Sequence, residues 1–246
     1  MLKDFTKENF DIIIQAGQSN SEGCGQGPVA EPYEPSEAIW YLTRNFTISM
    51  GAEVVWGNDA IGNFALPFAR EYVQSGRLQE GRKILIVRSS VGGTGFLDHR
   101  WGPEDDLYLT MMEMIQTALA LNPANRLVAL IWHQGESDAY MEASYDAHFA
   151  NLSGLVESVR RTYKSESLPF IAGDLVQQWK SMNEAICDPV VRAMRDVCAT
   201  GNGKFVETCG LESNMQAVGN EDTIHFSREA LYQLGSRYFE AFCEIE

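Results

Sequence analysis

Five short apolar runs, at residues 11–15, 83–88, 127–132, 169–173 and 204–208, lie widely spaced along the chain. Most are nearly continuous in Ile, Leu and Val, without strict alternation. That pattern belongs to strands covered on both faces, as in a parallel sheet. The segments between them read as helices. Leu107, Met111, Ile115 and Ala118 share one face. Tyr145, Phe149, Leu152, Val156, Val159 and Tyr163 form a second stripe, and Leu231, Leu234, Tyr238 and Phe242 a third, with Ser227 as its N-cap. Residues 65–74 read as a further helix, with Pro67 tolerated in its first turn. Strand and helix in alternation imply right-handed βαβ units. The expected fold is α/β, a doubly wound three-layer α/β/α sandwich with a mostly parallel central sheet of about five strands.

Residues 23–62 break this rhythm. They hold Gly23, Gly25, Gly27, Pro28, Pro32, Pro35 and Gly51, with Trp40-Tyr41 among them. A connection of this length is commonly functional. It reads as an irregular insertion with room for a small hairpin, either shaping a pocket or covering a sheet edge. There is no internal repeat, low-complexity tract or linker, so residues 1–246 are expected to form one domain.

Charge narrows the partners. The formal net charge of −15 repels phosphate backbones and anionic lipid, so neither nucleic acid nor a membrane is an expected partner. No apolar run approaches the ~20 residues of a membrane span. The first eight residues lack the basic start and apolar stretch of a signal peptide, which points to the cytoplasm. Cys24, Cys187, Cys198, Cys209 and Cys243 are odd in number and widely spaced, with no Cys-x-x-Cys. They read as free thiols, and no metal or cofactor is implied.

The chemistry lies at the two ends of the chain. Ser19, in Gly17-Gln18-Ser19-Asn20, follows the run Ile12-Ile13-Ile14. It therefore sits where a buried strand turns toward a helix, at the carboxyl end of the sheet where α/β folds bind ligands. A serine hydroxyl needs a neighbouring base to become nucleophilic. Asp222 and His225 are close enough for one loop to present both, the carboxylate orienting the imidazole. Taken singly, Ser19 or Asn20 reads as well as a helix cap, and His225 as a surface imidazole.

Two further strings tip that balance. Val91-Gly92-Gly93-Thr94-Gly95 follows the second run, and Trp132-His133-Gln134-Gly135-Glu136-Ser137-Asp138 follows the third. Glycine lets backbone N–H groups approach a ligand, and Gln134 can add a side-chain N–H, as a tetrahedral oxyanion requires. Ser21 in place of glycine, and Asp222 only three residues before His225, argue against a nucleophile elbow of the G-x-S-x-G type, and the Gly23–Gly27 cluster lacks dinucleotide-binding spacing.

These four strings, in this order, resemble the SGNH hydrolases. More narrowly they resemble carbohydrate esterase family six, the sialate O-acetylesterase-like and acetylxylan esterase-like proteins. Phe64 to Arg70, Trp101 and Leu107-Tyr108 also fit, so the likeness spans nearly the whole chain. It implies a flavodoxin-like sheet and a serine esterase that removes acetyl or other short acyl groups from sugar hydroxyls, with an acetylated sugar or oligosaccharide as partner. Ser19, His225 and Asp222 would be the catalytic triad. The Ser19 and Gly93 N–H groups (or Gly92, by the register) and Gln134 would form the oxyanion hole. Gln18, Asn20, Gly92, Thr94, His133, Glu136 and Trp101 are the remaining candidates for touching substrate or supporting the groups that do. His133 would flank the sheet end, His148 would sit on a helix surface, and His99 would line the acceptor pocket. The segment Thr94-Gly95-Phe96 departs from the family pattern on the acceptor side. The rival from another class is a carbohydrate-binding protein that keeps the fold without the activity.

Overall fold

The computed structural model describes residues 3–245; Met1, Leu2 and Glu246 lie outside the described residues. In chain order, β1 (Asn9–Gly17) leads through a single helical turn, α1 (Ser19–Glu22), to β2 (Ile39–Thr43) and β3 (Ile48–Met50). A detached hairpin, β4 (Val54–Trp56) and β5 (Asp59–Ile61), precedes α2 (Ala65–Gln74) and β6 (Arg82–Arg88). Then come α3 (Asp106–Ala120), β7 (Arg126–His133), α4 (Glu136–Tyr140), α5 (Tyr145–Thr162) and β8 (Phe170–Gly173). The chain ends with α6 (Gln177–Met182), α7 (Glu184–Ala199), β9 (Gly203–Val206), α8 (Asn214–Val218) and α9 (Arg228–Ile245).

The main sheet has seven strands in the order β3-β2-β6-β1-β7-β8-β9, all parallel except β3. All five expected runs are in it. The two strands beyond the expected five come from the segment read as irregular: β2 pairs parallel with β6, and β3 folds back on β2 as the edge. Ile39, Trp40, Tyr41 and Leu42 are buried there. A five-residue run amid Gly and Pro gives little periodicity, and tertiary pairing decides it.

β1 is central, and from Phe10 to Gly17 every residue is buried. α2 packs on α9 over one face, while α3, α5 and α7 cover the other, with α5 against α7. Ser227 caps α9, its Oγ accepting from the Ala230 N–H at 3.1 Å. Toward its amino end β1 carries Asp11, fully buried, bonded to Arg82 and Arg126 at 2.7 Å each and to the Tyr72 hydroxyl at 2.9 Å. Burial by itself would raise this carboxyl, but the two guanidiniums and the phenol hold it below the usual range.

His148 is corrected by the fold. It is buried rather than on a helix surface, 3.4 Å from Asp138 and edge-on to Phe96. The buried stripe of α5 runs through His148, Leu152, Leu155, Val156 and Val159. Its first turn therefore faces inward at His148, one residue earlier than the stripe expected through Tyr145 and Phe149.

Candidate active site

Gly17 makes the turn out of β1 possible. Its φ is +127°, and a Cβ there would stand 2.1 Å from the His133 carbonyl oxygen, so no other residue fits. The close approach lets the Gln18 N–H donate to that oxygen at 3.0 Å and sets Ser19 directly at the end of the central strand. α1 has only one turn. What it supplies is local first-turn N–H groups, including that of Ser19, more than a macrodipole.

The far end of the chain meets this corner. His225 Nε2 lies 2.9 Å from Ser19 Oγ, across 206 residues of sequence. His225 Nδ1 lies 2.9 and 3.0 Å from the two Asp222 oxygens, and Asp222 Oδ1 also accepts the His225 backbone N–H at 3.1 Å. Burial alone would raise Asp222, but the Asn214 amide and His225 hold it below the usual carboxylate range. Asp222 is thus an anion at neutral pH, accepting from Nδ1–H and leaving Nε2 to face the hydroxyl. His225 and Asp222 keep about a quarter of their side-chain surface exposed, so the site opens to solvent.

Asn214 escapes a reading of the sequence. Fully buried, it donates to Asp222 Oδ2 (2.9 Å) and the Cys24 carbonyl (3.0 Å), and its Oδ1 accepts from the Gln26 N–H (2.8 Å). Its only sequence signal is the capping box Ser213…Gln216, which marks a helix entrance eight residues before Asp222. Asn20 is equally buried and bonds to Glu136, Ile224 and Phe226.

The second string lies beside Ser19. A Cβ on Gly92 would stand 3.5 Å from that of Ser19. The Gly92 N–H is taken by Glu22 Oε2 at 2.8 Å, whereas the Gly93 N–H, at φ +69°, has no hydrogen-bond partner among the described residues. Gln134 departs from expectation. Fully buried, it directs Nε2 to Asp138 Oδ2 (2.9 Å) and the Thr94 carbonyl (3.3 Å), so both amide protons brace the 94–97 loop. Asp138 completes that brace by accepting from the Phe96 and Leu97 N–H groups. Gln18 is 3% exposed, and its Oε1 is pinned by the Ser137 N–H at 3.1 Å and the Gly135 N–H at 3.4 Å. Its Nε2 makes no hydrogen bond among the described residues.

Thr94 and Trp101 are buried, joined by Trp101 Nε1–H to Thr94 Oγ1 at 2.9 Å, and Trp101 packs edge-on to Trp132 at 5.2 Å. Thr94 Oγ1 also donates to the Val91 carbonyl at 2.7 Å, so the buried pair braces the loop from within. His133 lies in the core, 3.0 Å from the Tyr238 hydroxyl, and burial pushes its pKa down to about 3. It stays neutral near pH 7. The Cys24 thiol donates to the Ser19 carbonyl and is not a thiolate at neutral pH. Burial and the surrounding carboxylates push it up to about 12. His99 lines a separate cavity of about 620 Å³ with Phe96, Leu97 and Asn151. A cavity of about 450 Å³, lined by Glu22, Thr43, Arg44, Asn45, Arg88 and Ser90, shares Glu22 with the Ser19 corner.

A family model for carbohydrate esterases, the sialic acid-specific acetylesterases, matches residues 9–244. The chain belongs to this family. The probable 9-O-acetyl-N-acetylneuraminic acid deacetylase of Escherichia coli (strain K12) is 33% identical over 121 residues, which make up 39% of this chain and 37% of that protein. The match thus spans little more than a third of that relative's length. Among solved structures, NanS superposes with a TM-score of 0.78 at 20% identity, covering 97% of this chain and 98% of that one. A protein from Arabidopsis thaliana gives 0.75 at 22%, covering 96% and 98%. At these identities the likeness speaks for the fold. Among the described residues no helix is long and apolar enough to cross a membrane, and no cluster of three or more His, Cys, Asp or Glu could hold a metal ion.

Proposed function

We propose that this family member removes acetyl or other short acyl groups from sugar hydroxyls through an acyl-enzyme on Ser19. The reading rests above all on the unbroken chain from Ser19 Oγ to His225 Nε2 and from His225 Nδ1 to Asp222. Ser19 Oγ attacks the ester carbonyl while His225 takes its proton, and Asp222 stabilises the imidazolium that forms. The tetrahedral oxyanion is received by the Ser19 and Gly93 N–H groups. Gln18, next to the nucleophile and with amide protons uncommitted, is a better third donor than Gln134. His225 then protonates the departing sugar oxygen. The same imidazole activates the water that releases acetate.

The family description favours an O-acetylated sialic acid over acetylated xylan as the sugar. The polar cavity beside Glu22 is suited to hold the sugar, with Arg44, Asn45 and Arg88 able to hydrogen-bond hydroxyl or carboxylate oxygens. The intact Ser–His–Asp chain speaks against the binding-only alternative. The test is acetate release from a panel of O-acetylated sialic acids, xylo-oligosaccharides and simple acetylated sugars, run beside Ser19→Ala. Serine-dependent release that is greatest on the sialic acids is expected. Equal release by Ser19→Ala, or none from any acetylated sugar, would refute the reading.

A further inference from the structure

Catalysis by the arrangement above depends on holding two distant segments in register. We propose that Asn20 is the positioning residue for the His225 imidazole, and that Glu136, as an uncharged carboxylic acid, fixes the direction of the Asn20 amide. The inference rests on the reading of Ser19 as the nucleophile.

The geometry is that of a bracket. Asn20 Nδ2 donates to the Ile224 carbonyl at 3.0 Å, and Asn20 Oδ1 accepts from the Phe226 N–H at 3.0 Å. One side chain thus grips the peptide on each side of His225. Asn20 is also the residue after Ser19, so its amide refers the base to the nucleophile across a single peptide unit. From the opposite side the Asn214 N–H donates to the His225 carbonyl at 2.9 Å. With both grips in place the loop has little freedom to carry Nε2 away from Oγ. Displacement by ~1 Å typically costs ~10²-fold in such chemistry.

An asparagine amide works in this bracket only one way round. Turned by 180°, it would set its NH2 against the Phe226 N–H and its oxygen against the Ile224 carbonyl. Glu136 Oε1, 2.6 Å from Nδ2, selects the working orientation because, with the acid's proton on Oε2, it can only accept there. Glu136 is 1% exposed, and no lysine or arginine forms an ion pair with it among the described residues. The titratable groups around it are His225 on the base loop, Asp174 after β8, Cys24 after α1, Cys187 on α7 and Tyr238 on α9. None is a permanent cation. Its Oε2 is buried without a partner. A neutral hydroxyl left so costs far less than an unpaired carboxylate would. Burial accordingly holds this carboxyl above the usual range.

The experiment compares wild type, Asn20→Ala, Glu136→Gln and Glu136→Leu by 4-nitrophenyl acetate turnover, its pH profile, fluorophosphonate labelling rate and thermal melting. Asn20→Ala should lower kcat ~10²-fold at unchanged KM, with labelling slowed in step. Glu136→Leu removes the acceptor and should lower kcat ~10-fold, the equivalent of one hydrogen bond. Glu136→Gln keeps the acceptor, so it should retain most of kcat and leave the acid limb of the pH profile in place. Wild-type kcat in Asn20→Ala would overturn the inference. So would a Glu136→Gln as impaired as Glu136→Leu, or one whose acid limb moves to lower pH, the mark of a lost anion. If Asn20→Ala does not fold, the Glu136 pair decides, and full activity in Glu136→Leu overturns the proposal. An inactive, unlabelled wild type would instead defeat the functional reading.

Discussion

Asp11 and Asp222 are both carboxylates held below their usual range, yet their partners differ in kind. Asp11, fully buried toward the amino end of β1, is clasped by two guanidiniums and a phenol. Asp222, a quarter exposed beside the carboxyl end of the same strand, has no lysine or arginine ion pair among the described residues; an amide and an imidazole hold it. Guanidinium does not give up its proton in a protein, so the Asp11 cluster is static. Imidazole does, so the Asp222 pair can cycle between neutral and ionic forms. One end of the strand fixes charge to hold the sheet together, and the other leaves a proton free to move.

The largest effect that could break this contrast is on activity alone. Ser19→Ala should lower kcat by ~10⁵-fold or more while the melting temperature stays near wild type. A large loss of stability would mean that the site also carries fold energy. Asp222→Asn should cost ~10⁴-fold in kcat by favouring the wrong imidazole tautomer, again without unfolding. Full activity in that variant would remove Asp222 from the mechanism. Gln18→Ala should lower kcat ~10²-fold if its amide meets the oxyanion, and wild-type kcat would assign the third donor elsewhere.

Asp11→Asn should do the converse. It should cost ~2–3 kcal/mol of stability, less than the ~3–5 kcal/mol of a fully buried broken pair because Arg126 is nearly half exposed. Its kcat per folded molecule should not change. The folded Asp11 carboxyl titrates below its unfolded value of about 4. The stabilisation is therefore complete above that pH and is lost as pH falls through the lower, folded value. Denaturant titrations should show the wild type's advantage over Asp11→Asn shrinking in acid. A gap that widens in acid would contradict the cluster's role.

How far the sequence speaks for itself varies along the same strand. The buried runs and the helix over Ala65–Gln74 are legible because covered strands and amphipathic helices have distinct periods. The pairing of Ile39–Thr43 with Arg82–Arg88 is not, since short strands amid Gly and Pro are settled by their neighbours. Ser19, Asp222 and His225 stand out by residue type and by motif, and they meet within hydrogen-bond distance. Gln134 has the right chemistry but is turned inward by Asp138, four residues on, which no spacing rule discloses. His133 and His148 carry the residue type of a base without the exposure one needs. Asn214, which holds Asp222, leaves no local trace beyond a helix cap, because its role exists only once the chain ends are brought together.

The most direct measurement is to treat the folded protein with a fluorophosphonate and map the adduct by peptide mass spectrometry. A single adduct on Ser19, formed rapidly in wild type and at least a hundredfold more slowly in His225→Ala, is the predicted result. An unlabelled Ser19, or labelling at the same rate without His225, would contradict the account.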